Sequence, residues 1–396
     1  TVYFGQNHEN NPAAWRVIGY DGSGVTSAQG DMTLLAANNM GLSKFGASNV
    51  YADSDLKEEI DTLAGKLTAK ETDAVEKRTL VSGSYNRENT DCVAGAQVDD
   101  AVFWPLSTAE ASAVNNDLRI LNKEYPNWAM YHWWLRSPGE TPFSAAFVHG
   151  SGAVCYYGEY YDLAEYGVRP AFNLNLNSVL FTSAAVGGKP NGGLTPISEH
   201  TGNEWKLTLL DNSRNFAVTE KTVSGDTITF SYSNAQTGTN EYISVIIKDN
   251  GEITHYGRIL HLGGTTGGAS GTASLTLPAG ITLDNDTKLY VFNEQYNGDY
   301  KTDYASNFTD IALTVEKQAD EQFTLAPGGR YYFDLSSMNI PGTVNSNLPD
   351  STLRYVPFTY AGTVDAYKLT SETATTEEYA QQNKYPHSLF VADYAV

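Results

Sequence analysis

The residues of this chain that could carry chemistry are its seven histidines, its serines and a dense group of tyrosines. None of the histidines forms an H-x-x-x-H pair, which would place two metal ligands on one helix face. The serines show no G-x-S-x-G elbow. We therefore expect no metal, no cofactor and no enzymatic activity. The histidines are His8, His132, His149, His200, His255, His261 and His387.

The two cysteines, Cys92 and Cys155, limit the covalent chemistry of the chain. They are too few for a disulfide-stapled scaffold or for a site with four thiolate ligands. The sequence leaves open whether they are bonded to each other.

Tyrosines and acidic residues gather between residues 156 and 166. This stretch reads as a glycine-broken loop, from which five tyrosines cannot all turn inward. Tyrosine offers a large contact area at low entropic cost, which is why binding surfaces favour it. The segment predicts a tyrosine-rich, acidic binding surface, with packing in the core as the alternative. The candidate binding residues are Tyr156, Tyr157, Glu159, Tyr160, Tyr161, Asp162 and Tyr166.

The charge balance removes several classes of partner. The chain has 46 acidic and 25 basic residues, a formal charge of −21 and a pI near 4.6. Nucleic acids and anionic membranes attract clustered Lys and Arg, so neither is expected as a partner. No apolar run approaches the roughly 18–20 residues of a membrane helix, so we expect no membrane insertion.

The pattern of apolar and polar residues predicts the strands and helices that position these side chains. Residues 1–181 alternate strands and helices, which predicts an α+β domain. The region begins with a hairpin of residues 3–5 and 14–19 and a third strand at 32–36. Three pairs have the spacing of a helix start: Asp55 with Glu58, Thr68 with Glu71, and Ser107 with Glu110.

The rest of the chain predicts a linker and two β-rich segments. Residues 182–203 are glycine-rich and without periodicity, as in a linker. Residues 204–317 contain about seven short strand patterns separated by turns, which favours an immunoglobulin-like sandwich. Residues 322–396 form a short β-rich segment that echoes the start of the chain, as if opening a second related domain. The predicted fold class is therefore multidomain.

Three blocks of the first domain carry a family resemblance. They are WWLRSPG at 133–139, AAFVHGSGAV at 145–154 and YGVRPAF at 166–172. This frame resembles an uncharacterised domain family common in secreted proteins of Gram-positive gut bacteria. The family is similar to a remote C-type-lectin fold, in the branch that includes formylglycine-generating enzymes. Residues 204–317 resemble bacterial immunoglobulin-like modules that accompany this domain.

The resemblance implies a fold but no activity. Trp133, Trp134, Arg136 and Arg169 belong to the frame, and we expect them to be structural. The paired thiols of the related enzymes and the calcium-dependent sugar motifs of lectins are missing, and fold does not confer function. In lectin-type domains the face between the last strands carries ligands, which matches the position of residues 156–166.

The sequence predicts a secreted or cell-surface protein of a Gram-positive bacterium with a binding or adhesion role. Its partner would be a host or microbial surface protein or a glycan. The alternative is a structural subunit of a surface filament, which associates with itself through 322–396 by strand exchange. A lectin-fold metalloenzyme is the third and least favoured hypothesis.

Overall fold

The computed structural model describes residues 1–80, 96–121, 131–197, 200–224, 226–263, 267–281, 283, 286–311, 326–335, 338, 355–367 and 384–393. Cys92 lies outside these residues. The described chain is rich in strands and forms several sheets, which confirms the expected β-rich architecture. It groups into two compact units, the first made of Thr1–Thr222 and Ile228–Ile311 and the second of Val223–Thr227 and Ala312–Val396. None of the described helices is long and apolar enough to cross a bilayer.

The helices in the described residues are few and short, and side chains cap their first turns. Ser54, rather than the predicted Asp55, caps α1 by accepting a hydrogen bond from the Lys57 amide. The expected Thr68–Glu71 and Ser107–Glu110 pairs form full capping boxes on α2 and α3. The helices are α1 (Asp55–Ala64), α2 (Ala69–Asp73), α3 (Thr108–Ala113) and α4 (Asn116–Arg119).

The first half of the first unit combines these helices with short strands. The predicted hairpin and third strand are confirmed as β1, β2 and β4. The strands are β1 (Val2–Gln6), β2 (Pro12–Tyr20), β3 (Ser23–Gly24), β4 (Asp31–Ala36), β5 (Leu42–Ser43), β6 (Val75–Glu76), β7 (Arg78–Leu80), β8 (Val98–Ala101), β9 (Trp104–Pro105), β10 (Trp133–Pro138), β11 (Ser144–Val148), β12 (Val154–Tyr160), β13 (Tyr166–Gly167), β14 (Pro170–Asn175), β15 (Val179–Ala184) and β16 (Thr195–Pro196).

The second half of the first unit is entirely β in its described residues, as the turn spacing predicts. Its strands are β17 (Trp205–Leu210), β18 (Ala217–Ser224), β19 (Thr227–Ser233), β20 (Glu241–Asp249), β21 (Glu252–His261), β22 (Gly271–Thr276), β23 (Thr287–Gln295), β24 (Asp303–Ala305) and β25 (Thr309–Asp310). Strands β18, β19 and β22 form a sheet of their own, while β17, β20, β21, β23, β24 and β25 join a longer one.

One long sheet runs through both halves of the first unit. β1 pairs with β17 in parallel, with Val2 opposite Trp205 and Tyr3 opposite Lys206. The predicted linker, 182–203, contributes the end of β15, which pairs with β17, and β16, which pairs with β21. The stretch predicted as a linker therefore contains residues that join a sheet, which its glycine-rich sequence without periodicity does not indicate.

A continuous apolar core lies on this long sheet. Phe172 stacks on Phe4 with ring centroids 5.0 Å apart, and Trp15 meets the Phe172 ring edge-on at 4.6 Å. Leu207 and Tyr304, from the second half of the unit, belong to the same buried cluster. The two halves therefore share apolar surface that each would otherwise expose to water.

The described residues of Ala312–Val396, the larger part of the second unit, contain a three-stranded antiparallel sheet with β27 at its centre. β27 pairs with both neighbours, and Tyr331, Phe333, Tyr360 and Phe390 make edge-on or tilted ring contacts with one another or with Phe358. The strands predicted in 322–396 are thus present. They are β26 (Arg330–Asp334), β27 (Tyr355–Tyr367) and β28 (Lys384–Ala392).

Candidate functional site

Residues 156–160 of the segment lie on β12, an edge strand, and not in the loop that the sequence predicts, whereas residues 161–165 form a turn and Tyr166 begins β13. The five-stranded sheet has the order β12-β11-β10-β13-β5, and β12 pairs antiparallel with β11. The strand escaped detection because Gly158 interrupts its alternating pattern. Two extra residues of β12 stand opposite the Ala145–Phe147 stretch of β11, which makes a bulge.

Gly158 makes this bulge possible. Its φ is +79°, a left-handed conformation that glycine adopts at little cost. A Cβ at this position would lie 2.6 Å from the carbonyl oxygen of Ala145. The turned backbone lets the Tyr157 carbonyl accept hydrogen bonds from the Glu140 amide at 3.0 Å and the Ser144 hydroxyl at 3.1 Å.

The five tyrosines divide into exposed, half-buried and buried groups. Tyr157 and Tyr160 are 57% and 54% exposed. Tyr156 and Tyr161 are half-buried. Tyr156 shares a hydrogen bond of 2.7 Å with the hydroxyl of Ser112 on α3, so its ring is held against that helix. Tyr166 is buried, and it therefore does not belong to the exposed binding surface that the sequence predicts.

Tyr166 belongs to an aromatic cluster on the five-stranded sheet. Its ring lies 4.7 Å from Trp134 and 5.0 Å from both Phe147 and His132. Burial, with the nearby Glu159 carboxylate, raises the pKa of Tyr166 to about 12. Burial also lowers the pKa of His132, to which His149 adds a smaller effect. The cluster keeps its titratable groups neutral at physiological pH.

Cys155 faces this cluster as a buried free thiol. Burial raises its pKa above the usual value, although hydrogen bonds with Tyr157 and the His149 backbone act in the opposite direction. A thiol in this state is a weak nucleophile at neutral pH. Among the described residues, no three His, Cys, Asp or Glu side chains come together as a possible metal site.

The tryptophans and arginines of the sequence frame lie inside the fold. Trp133 and Trp134 are fully buried, and their indole N–H groups donate to the carbonyls of Arg119 at 3.2 Å and Ser43 at 2.9 Å. Arg169 donates to the carbonyls of Ala36, Arg119 and Leu118, each at 2.8 Å, and its guanidinium lies over Trp133. These contacts connect Trp133, Trp134 and Arg169 with α4, β4 and β5.

The charge of Arg136 is balanced by Glu110, which the sequence indicates only as a capping residue of a helix. Its guanidinium forms an ion pair with Glu110 on α3, and Glu110 also pairs with Arg78. Burial raises the pKa of Glu110, whereas Arg78 lowers it. Apart from its capping-box spacing, nothing in the sequence marks Glu110 as the partner of two arginines.

Two apolar residues outside the predicted set complete the exposed surface. Phe143 and Leu163 are 60% and 71% exposed. The Phe143 carbonyl accepts from the Tyr161 amide at 3.2 Å, and the Leu163 amide donates to the Tyr160 carbonyl at 3.4 Å. We call this set the edge surface. It comprises Phe143, Tyr157, Tyr160 and Leu163 with the acidic residues Glu140, Glu159 and Asp162.

Comparison with known proteins places the site inside a matched region. Residues 47–176 match the family model described as a domain of unknown function, DUF6273. The matched region is less than half of the chain, and it contains the whole edge surface and the three sequence blocks. No curated protein matches the chain, and no solved structure does.

Proposed function

We propose that this protein is a non-enzymatic, extracellular binding protein of a bacterial surface and that the edge surface takes the ligand. The observation that carries the proposal is the exposure of four large hydrophobic side chains on one edge strand and in the turns that flank it. Single exposed apolar residues are normal, but contiguous ones surrounded by polar residues are typical of interaction sites.

The chemistry of the edge surface favours a polypeptide partner with basic and apolar residues. Glu140 and Asp162 are exposed and Glu159 is half-buried, so carboxylates lie around the tyrosines. Such a surface attracts Lys or Arg side chains electrostatically, while Phe143 and Leu163 offer apolar contacts that a sugar ring uses less well. The bulge at Gly158 disturbs the free edge of β12, which makes side-chain contacts a better basis than strand addition.

The extracellular location and the remote C-type-lectin and immunoglobulin-like relationships are part of the same proposal. Their support is the resemblance of the sequence frame to a domain family of secreted proteins. The short helices around mixed sheets in the first half and the two sheets in the second are compatible with these folds.

Binding of the full chain to a displayed library of short peptides and to a panel of immobilised glycans tests the proposal. We expect selected peptides to combine Lys or Arg with aliphatic residues and to bind more weakly as ionic strength rises. The double variant Tyr157→Ser/Tyr160→Ser should weaken binding at least tenfold, on the order expected for two aromatic contacts. Tyr20→Ser, on β2, is the matched control because Tyr20 is 55% exposed.

Three outcomes would contradict this proposal at different levels. Selection of glycans alone would exclude the polypeptide partner. Normal affinity in the double variant would exclude the edge surface. An equal loss of affinity in Tyr20→Ser would show that the effect of the double variant is not specific to the edge surface.

A further inference from the structure

A lysine is buried between two carboxylates in the second half of the first unit. Lys189 follows β15, Glu294 lies on β23 and Asp303 begins β24. The side chain of Lys189 is 1% exposed, and those of Glu294 and Asp303 are 0% exposed. Removing three charges from water is costly, so a cluster of this kind needs close partners or a chemical role.

The atoms of this cluster are in position to react. Lys189 Nζ lies 2.6 Å from Asp303 Oδ2, and it also contacts Glu294 Oε1 directly. Glu294 is held on its other oxygen by the hydroxyls of Tyr256 at 2.5 Å and Ser244 at 2.7 Å. An amine, a carboxyl group and a second carboxyl group that can carry protons between them are therefore fixed together.

The surroundings of Asp303 suit a negative charge that develops on its carboxyl group. Its Oδ1 accepts from the backbone N–H of Asn297 at 2.8 Å, in the manner of an oxyanion-hole donor. The ammonium of Lys206 lies 2.8 Å from Oδ2. The ring of Phe181, 4.7 Å from Lys189 Nζ, contributes an apolar wall.

We propose that Lys189 and Asp303 condense to an intramolecular isopeptide bond, with Glu294 as the proton carrier. Glu294 takes a proton from the Lys189 ammonium and delivers it to the Asp303 carboxylate. The Nζ lone pair then attacks Cγ of Asp303 and forms the C–N bond. A second Nζ proton passes to the departing oxygen, the C–O bond breaks, and one water molecule leaves.

The ion pair at rest must first be neutralised inside the cluster. Burial alone would lower the pKa of Lys189, but the Asp303 and Glu294 carboxylates raise it. The proton therefore has to move along the existing hydrogen bonds rather than into solvent. The direct contact between Glu294 and the nitrogen provides that route.

Lys189, rather than Lys206, is assigned as the nucleophile. Lys206 also contacts Asp303, but its other partner is the carbonyl oxygen of Gly298 at 2.6 Å, which cannot accept a proton at neutral pH. Lys206 is therefore placed to stabilise the charge on Asp303 and not to attack it. The resulting bond would connect the stretch before β16 with β24, closing a covalent loop around the β-rich half.

Intact mass spectrometry of the full chain under denaturing conditions tests the inference. We expect a mass lower than the sequence mass by one water molecule, and a fragment in which the peptide of Lys189 is linked to that of Asp303. Glu294→Gln keeps both reacting groups and the shape of the cluster, and it should show the unchanged sequence mass. Lys189→Met should also show the unchanged sequence mass, and the linked fragment of the wild-type chain should contain Lys189 and not Lys206.

A wild-type chain at its full sequence mass would overturn the proposal whatever the variants do. Loss of water located at another site, such as the Asp21–Gly22 pair, would also overturn it. Retention of the bond in Lys189→Met, or in Glu294→Gln, would contradict the assigned nucleophile or the assigned proton carrier.

Discussion

Several buried charged side chains of the first unit form ion pairs with residues from other elements. Arg214 donates to Asp211 at 3.0 Å and to Glu241 at 2.7–2.9 Å. Lys70, on α2, pairs with the same Asp211 at the end of β17. An unpaired charge in these positions would cost several kcal/mol, on the order of the total stability of a domain. These pairs help to determine which elements pack together.

Asp211 should make the stability of the protein depend on pH in acid. Although burial would raise its pKa, hydrogen bonds from Lys70 and Ser213 lower it to about 2. The unfolded chain, with an aspartate pKa of about 3.9, binds the proton first as pH falls. The stabilisation is therefore complete above about pH 4 and is lost between about pH 4 and 2.

We expect Asp211→Asn to lower the free energy of unfolding by about 1–2 kcal/mol at pH 7 and to differ little from wild type near pH 2. Urea unfolding at both pH values measures the difference. Asp61→Asn is the control, because the Asp61 side chain is 58% exposed and pairs with Lys57 across one helix turn. An equal effect of both substitutions, or no pH dependence for Asp211→Asn, would show that burial of the ion pair is unimportant.

Residue types predicted structural roles better than they predicted partners. The tryptophans and arginines of the sequence frame were expected inside the fold, and they are buried there. The partner of Arg136, Glu110, is 26 positions away in sequence, and nothing local marks it. Lys189 was missed because a lysine within a Gly-Gly-Lys-Pro-Asn stretch is typical of an exposed turn. Its burial depends on strands that are far away in sequence.

At the scale of elements, local sequence patterns predicted helices and strands correctly where one side chain determines a boundary or where side chains alternate. Capping pairs found the starts of α2 and α3, and alternation found β1, β2 and β4. β12 was missed because its bulge shifts the alternation at Gly158. A bulge depends on the partner strand, so the sequence of one strand cannot reveal it.

Substitution of Gly158 should destabilise the edge strand. Gly158→Ala places a Cβ against the Ala145 backbone in addition to forcing a left-handed conformation on alanine. We expect a loss of about 2–3 kcal/mol in the free energy of unfolding. Gly251→Ala is the matched control, because φ is +89° there but no heavy atom lies within 4 Å of the added Cβ.

The control should lose about 1 kcal/mol, which is the conformational part alone. Urea unfolding of the two variants gives the difference between them. Equal losses would mean that the close approach to Ala145 relaxes freely and that the bulge does not hold the edge surface in place.

At the scale of the whole first unit, the two predicted domains share a sheet and a core. Tyr304 is the clearest link, because its hydroxyl lies 2.7 Å from the Thr68 hydroxyl and Lys70 lies over its ring at 4.9 Å. The turn spacing predicted the β-rich half, but it could not show the pairing of β1 with β17. That pairing joins residues about 200 positions apart, for which a single sequence contains no local signal.

Tyr304→Ala should therefore destabilise both halves of the first unit together. We expect hydrogen exchange to accelerate by a similar factor in strands β2 and β4 and in strands β20 and β23, because one cooperative unit opens as a whole. Mass spectrometry of peptides from these strands measures it. Faster exchange confined to β20 and β23 would show that the halves unfold independently.

Self-association through 322–396 stays a prediction.

The proposed function rests on the edge surface, and the most direct measurement compares two tyrosine variants against one selected peptide. The dissociation constant of Tyr157→Ser/Tyr160→Ser should rise at least about tenfold over wild type, while that of Tyr20→Ser should stay unchanged. The unfolding midpoints of both variants should equal that of the wild type, because all three tyrosines are exposed. An unchanged dissociation constant for the double variant would contradict the account.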